Sequence, residues 1–139
     1  MNHPQRIVLD TNCLLMSIPG KSPYHSILLS FLKGEYILCV TNEILLEYEE
    51  IISNKTNAIV ATNIINMILS SNYIQFIHPV YRFRLIEQDE DDNKFVDCAF
   101  AIGADYIVSE DNHFSVLKKL PFPVFNVVTM DEFMKKLYL

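Results

Sequence analysis

Apolar runs alternating with helical-period segments predict an α/β fold, a three-layer sandwich with a central, mostly parallel sheet flanked by helices. Three observations carry this expectation. Arg6-Ile7-Val8-Leu9, Tyr36-Ile37-Leu38-Cys39-Val40 and Tyr106-Ile107-Val108 are nearly continuous apolar stretches, as strands covered on both faces must be. Longer segments between them repeat apolar residues at three- and four-residue intervals. Acidic residues follow two of the strand-like runs, at the ends where parallel sheets bind ligands.

The elements read in order as follows. A buried strand ends at Leu9, and a helix starts at Thr11-Asn12. Pro19-Gly20 and Ser22-Pro23 break the chain before an amphipathic helix from His25 to Lys33. The strand Tyr36 to Val40 leads into a helix capped by Thr41 or Asn42 and running through Ile44, Leu45, Tyr48 and Ile51. Thr56 to Ser70 is a further helix, and Tyr73 to Ile77 a strand ended by His78-Pro79. After an acidic stretch from Glu87 to Asn93, Phe95 to Ile102 is apolar nearly all round, which predicts a buried helix stopped by Gly103. Tyr106 to Val108 is a strand, Phe114 to Leu120 a short helix, Val124 to Val128 a strand and Asp131 to Leu137 a closing helix.

The 139 residues, half of them hydrophobic, predict one well-cored domain over residues 1–139 and exclude a disordered chain. No apolar run approaches the roughly 18 residues of a membrane span. The first apolar run is interrupted by Asp10, so no signal-peptide core is expected. Cys13, Cys39 and Cys98 lie far apart in apolar stretches, which predicts reduced, buried thiols and a cytoplasmic protein without a zinc site. The net charge of −6 runs against nucleic-acid binding, because proteins that grip phosphate backbones carry a basic face.

Four acids stand where a site would form. Asp10 follows the first strand, and Asp111 lies just past Tyr106-Ile107-Val108. Glu47 sits within the helix after the second strand, too far in to serve the helix dipole as Glu43 does. Asp92 directly precedes the buried helix. Gathered at one sheet edge, these carboxylates would repel by several kcal/mol in a partly buried setting. A hard divalent cation removes that cost, taking oxygen ligands and promoting in-line displacement at phosphorus. No Cys or His belongs to this set, which favours a hard metal over zinc.

Other readings stay open at several positions. Asp10 could simply cap the following helix. In Asp89-Glu90-Asp91-Asp92, most charges are solvated, with Asp92 the favoured site residue and Asp89 the alternative. Asp97, a lone charge in an apolar helix, either faces solvent or lines the acidic pocket. Asp105 reads as structural and Glu110 as pointing away from Asp111, while His78 and His113 could bind metal or a phosphate but read better as lone surface histidines.

Ile7-Val8-Leu9-Asp10-Thr11-Asn12 resembles the opening of PIN domains, where an apolar strand ends in Asp-Thr-Asn or Asp-Thr-Ser. Thr41-Asn42-Glu43-Ile44-Leu45-Leu46-Glu47-Tyr48 looks like their second motif, Asp92-Asn93-Lys94-Phe95-Val96 their third and Val108-Ser109-Glu110-Asp111 their fourth. All four occur in order and cover essentially the whole chain. The nearest likeness is to the VapC-like toxins of bacterial toxin–antitoxin pairs. That resemblance implies a Mg²⁺- or Mn²⁺-dependent endoribonuclease acting on RNA, often a homodimer, and inhibited by an antitoxin protein. It also implies that Asp10, Glu47, Asp92 and Asp111 are catalytic, with Asp10, Asp92 and Asp111 holding metal. Asn12 and Ser109 match supporting polar positions, and Asp97 is a further candidate for that role.

The charge conflict eases if metal neutralises the acids and Arg82, Arg84, Lys94, Lys118 and Lys119 form a basic rim, which a dimer could double. A phosphatase of the haloacid-dehalogenase type also places Asp after its first strand. It needs a second acid two residues later, where this chain has Asn12. The remaining alternative is a non-catalytic PIN-like module binding RNA or protein, which gains nothing from a costly carboxylate cluster.

Overall fold

The computed structural model describes residues 4–79, 81–86 and 90–138. Five parallel strands form the central sheet: β1 (Gln5–Leu9), β2 (Tyr36–Val40), β3 (Ile74–Phe76), β4 (Tyr106–Val108) and β5 (Val127–Val128). Their order is β3-β2-β1-β4-β5, with helices flanking the sheet in a three-layer α/β arrangement. The helices are α1 (Thr11–Ser17), α2 (His25–Leu32), α3 (Asn42–Lys55), α4 (Ala58–Ser70), α5 (Asn93–Ile102) and α6 (Met130–Leu137). Among the described residues, no helix is long and apolar enough to cross a membrane.

The order of strands places the site. From β1 the chain steps outward through β2 to β3, then α5 carries it back across to β4 on the other side of β1. The direction of winding reverses between β1 and β4, and such a reversal opens a crevice beyond the carboxyl ends of the strands. Pairing of Leu9 with Val108 brings the two carboxyl ends level, and the Asp10 N–H extends the ladder to the Val108 carbonyl at 3.0 Å.

The central strands are sequestered on both faces: Ile7, Val8, Leu38, Cys39, Val40, Ile107 and Val108 are all buried. This is why they read as continuous apolar runs. Thr41 caps α3, accepting from the Ile44 N–H. Gly103 closes α5 with φ of 64°, the left-handed conformation that glycine adopts without a Cβ clash. All three cysteines are buried and free.

Several boundaries differ from the sequence expectation for local reasons. The helix expected from Thr56 begins at Ala58, because Thr56 donates its hydroxyl to the Ile52 carbonyl and Asn57 caps the next helix. The helix expected from Phe114 to Leu120 is a 3-10 helix over Asn112–Lys119, started by the Asp111 cap. The strand expected from Val124 to Val128 shrinks to Val127–Val128, with the Asn126 carbonyl still accepting the Ile107 N–H at 2.9 Å.

Tyr48 ties α3 to the end of β1. Its ring is fully buried and its hydroxyl donates to the Leu9 carbonyl at 2.5 Å. Tyr48→Phe leaves that buried acceptor without its donor and is expected to lower stability by about 1–3 kcal/mol. The midpoint of urea unfolding reads the change, with the slope unaltered.

Candidate active site

Asp10 lies at the junction of β1 and α1, and it is both a helix cap and a member of the acidic group. Its Oδ1 accepts the Thr11 N–H at 2.8 Å, and its Oδ2 accepts the Ser109 hydroxyl at 2.8 Å. The Ser109 hydroxyl also accepts the Asp111 N–H at 3.0 Å. One buried serine at the end of β4 thus links the carboxylate after β1 to the backbone that carries the carboxylate after β4.

The rest of the group assembles around Asp111. This residue caps the 3-10 helix through the His113 N–H at 2.9 Å, and that tight turn folds the imidazole back over the cap. His113 Nδ1 lies 3.4 Å from both Asp111 Oδ1 and Asp92 Oδ2. Asp92, at the start of α5, is itself buried. Asp92, Asp111 and His113 each offer a ligand atom within 4.8 Å of the others. The sequence reading left His113 as a surface histidine and expected no imidazole in the set. Its signal was the Asp-x-His spacing after a strand end, which acquires meaning only once the 3-10 turn is formed.

Glu47 enters from α3. The Thr11 hydroxyl donates to its Oε2, and Lys94 Nζ pairs with its Oε1 at 2.8 Å. Both partners of this pair are largely shielded from solvent, with side chains 16% and 19% exposed, so the pair is screened less than a surface one. Lys94 therefore serves an acid of the group, a role that the expected basic rim did not include. Asn12 is exposed and lines the cleft beside Asp10 and Asp111. Glu110 lines the same cleft, and its Oε1 accepts the Met130 N–H at the start of α6 at 2.8 Å.

Asp97 has a different engagement. It is buried, and its Oδ1 accepts the Phe83 N–H at 3.0 Å on the far side of a cleft also lined by Arg82, Arg84 and Lys94. Asp89, the alternative to Asp92, lies outside the described residues. Asp105 accepts the Arg6 N–H at 2.8 Å, bracing the start of β1. Burial pushes the Cys13 and Cys98 thiols far above their ordinary range, so neither is a nucleophile.

Burial also pushes the Asp10 carboxyl up to about 6, and the charges of Glu47 and Asp111 add to the rise against the opposing hydrogen bonds from Ser109 and Thr11. Asp10 is 6% exposed, so its charge at neutral pH is held at a cost to the fold. This donor set fits a divalent cation: carboxylate oxygens from separate segments, one imidazole and an excess of buried negative charge.

Because the folded pKa exceeds the unfolded one, Asp10 favours the fold below pH 4, and that contribution is lost as pH rises through 6. Without added metal, Asp10→Asn is therefore expected to be more stable than the native chain at pH 7.5, by about 1–2 kcal/mol. Its stability should also be flatter between pH 4 and 6. Urea unfolding across that range measures both, and a less stable Asn variant at pH 7.5 contradicts this account.

The family model described as PIN domain matches residues 6–113. Among solved structures, VapBC2 from Rickettsia felis, bound to a DNA fragment from its promoter, is similar at 16% identity. Its TM-score is 0.61, and the match covers 89% of this chain and 98% of that one. Mycobacterium tuberculosis VapC20, a sarcin-ricin loop cleaving toxin, is similar at 15% identity and TM-score 0.57, covering 78% of this chain and 92% of that one. The PIN domain endonuclease Utp24 is similar at 14% identity and TM-score 0.57, covering 92% and 86%. No curated protein matches. Identities this low speak to the fold, but the family match spans well over half the sequence, and the chain belongs to the PIN domain family.

Proposed function

We propose that this chain is a metal-dependent endoribonuclease that hydrolyses RNA phosphodiester bonds, with Mg²⁺ or Mn²⁺ as its cofactor. The observation that carries the reading is the meeting of Asp92, Asp111 and His113 within 4.8 Å of one another, with Ser109 linking Asp10 to the segment that carries Asp111 where the sheet reverses its winding. Such a cluster is costly without a cation and useful with one.

Asp10, Asp92 and Asp111 would hold the metal, with His113 adjoining them. A bound divalent ion supplies Lewis acidity at the phosphodiester and makes water a better nucleophile for in-line attack. The chain's own groups do the positioning. Ser109 and Thr11 each occupy one Asp10 oxygen, fixing the carboxylate plane so that its remaining lone pairs are oriented. Lys94 and the Thr11 hydroxyl hold Glu47 beside this group, placed to accept the proton of the attacking water. Asn12, at the cleft mouth, is available to hydrogen-bond the substrate backbone.

The family resemblance and the toxin among the structural relatives support a role as the toxin of a toxin–antitoxin pair, inhibited by an antitoxin protein. In the same reading the protein is one domain over residues 1–139, acts in the cytoplasm and forms a homodimer. The free, buried thiols accord with a reducing compartment.

Purified protein incubated with mixed RNA should cut it with Mg²⁺ or Mn²⁺ and stop with EDTA. Asp10→Asn should lose activity by about 100-fold or more. Persistent cutting in EDTA, or full activity in the variant, removes this reading. Ser109→Ala should weaken Mn²⁺ affinity by about 10–100-fold, read by calorimetric titration, because Asp10 and Asp111 lose their shared anchor.

A further inference from the structure

Residues 81–86 form a strap without regular secondary structure, in which Tyr81-Arg82-Phe83-Arg84 alternates aromatic rings with guanidinium groups. Two buried side chains at α5 pin it. Asp97 accepts the Phe83 N–H, and the Asn93 amide accepts the Ile86 N–H at 2.8 Å while donating to the Ile86 carbonyl at 2.9 Å. Arg84 is held at φ of 53°, a conformation that costs a non-glycine residue free energy and persists only where its surroundings enforce it. A segment fixed this firmly presents its side chains in a set arrangement.

The rings form a platform. Phe83 packs on Phe100 of α5 with centroids 4.6 Å apart, and Tyr81 and Phe122 meet the same ring edge-on at 5.8 and 6.5 Å. Tyr81 and Phe122 are 62% and 75% exposed, so two rings reach solvent from a packed base. Arg82, Arg84 and Lys94 line a cleft of about 460 Å³ beside the strap together with Glu43, Asp91 and Asp97; Arg82 is paired with Glu43 at 2.7 Å and Lys94 with Glu47 at 2.8 Å. Among the described residues, three cations and three carboxylates share this cleft, and Arg84 is the cation of the three that has no ion-pair partner there. The platform also lies along α5 from the carboxylates: eight residues separate Asp92 from Phe100, about 12 Å of helix.

We infer that the strap and Phe122 form a binding path for single-stranded RNA leading to the carboxylate cluster, with bases stacking on Tyr81 and Phe122 and phosphates meeting Arg84. Exposed rings beside cations match a strand that offers a base face and a phosphate at each nucleotide. A duplex keeps its base faces stacked inside and has no use for such rings. This inference rests on the ribonuclease reading and assigns its substrate class and entry path.

The test uses Asp10→Asn protein, which retains RNA without cutting it, and a fluorescein-labelled single-stranded RNA decamer followed by anisotropy. A hairpin duplex of the same composition serves as comparator. Binding should favour the single strand, and Tyr81→Ala and Phe122→Ala should each weaken it roughly tenfold. Phe122→Leu should weaken it as much, since leucine keeps apolar area but has no ring face. Arg84→Ala should reduce the slope of log affinity against log salt by about one contact's worth. Both rings are exposed, so the fold should survive, as thermal unfolding would verify.

Strand binding indifferent to both rings, or fully restored by leucine, overturns the path while leaving the nuclease reading intact. Loss of self-association in Tyr81→Ala, with RNA affinity unchanged, reassigns the patch to a second copy of the chain. If the native protein cuts no RNA and neither protein binds it, the ribonuclease reading fails and the path falls with it.

Discussion

Burial of a carboxylate at the end of a central strand is the constraint around which this protein is arranged. Asp10 follows directly on Leu9, so sheet pairing and the start of α1 take it out of water whatever its neighbours are. Its charge must then be met by hydrogen bonds, which Thr11 and Ser109 supply without removing the whole desolvation penalty. Glu47 and Asp111 add repulsion to that penalty. In the proposed reading, a bound cation would relieve this repulsion and so couple metal binding to folding.

The surroundings respond in two layers. Around the carboxylates, short polar links fix orientation: the Ser109 bridge, the Thr11 and Lys94 contacts to Glu47, and the Tyr48 hydroxyl on Leu9. Farther out along α5, Asn93 and Asp97 are buried polar groups spent on a strap and not on the acids. Burial raises the Asp97 carboxyl above its ordinary range, with the Phe83 N–H opposing that rise. One helix thus serves both regions, its first residues beside the acids and its next turns under the aromatic platform.

This division also bears on the conflict between a charge of −6 and the polyanionic substrate proposed for the chain. Net charge describes the far field, whereas binding depends on the charge within a Debye length of the cleft, about 8–10 Å. There, Arg82, Arg84 and Lys94 share a cleft with Glu43, Asp91 and Asp97, while Asp92, Asp111 and His113 form a cluster of their own. Arg82 and Lys94 are paired with Glu43 and Glu47, so part of the positive charge is already committed. Lys118 and Lys119, expected in the same rim, stand instead at the end of the 3-10 helix.

The sequence by itself determined what depends on neighbours along the chain. Continuous apolar runs marked β1, β2 and β4, because strands covered on both faces cannot alternate, and Thr41 and Gly103 marked helix ends through their own backbone chemistry. The positions of Asp10 and Asp111 after strands were equally local, and so was the motif order that pointed to the PIN family. Only the tertiary structure decided which groups meet. The return crossing through α5 set β4 beside β1, and with it the Ser109 link between residues 99 positions apart. The 3-10 turn brought His113 to the acids, α3 met α5 through Glu47 and Lys94, and the strap's seat on α5 gave Asp97 its partner. Periodicity and propensity describe how a segment sits against a core; they carry no information about which distant segment arrives beside it.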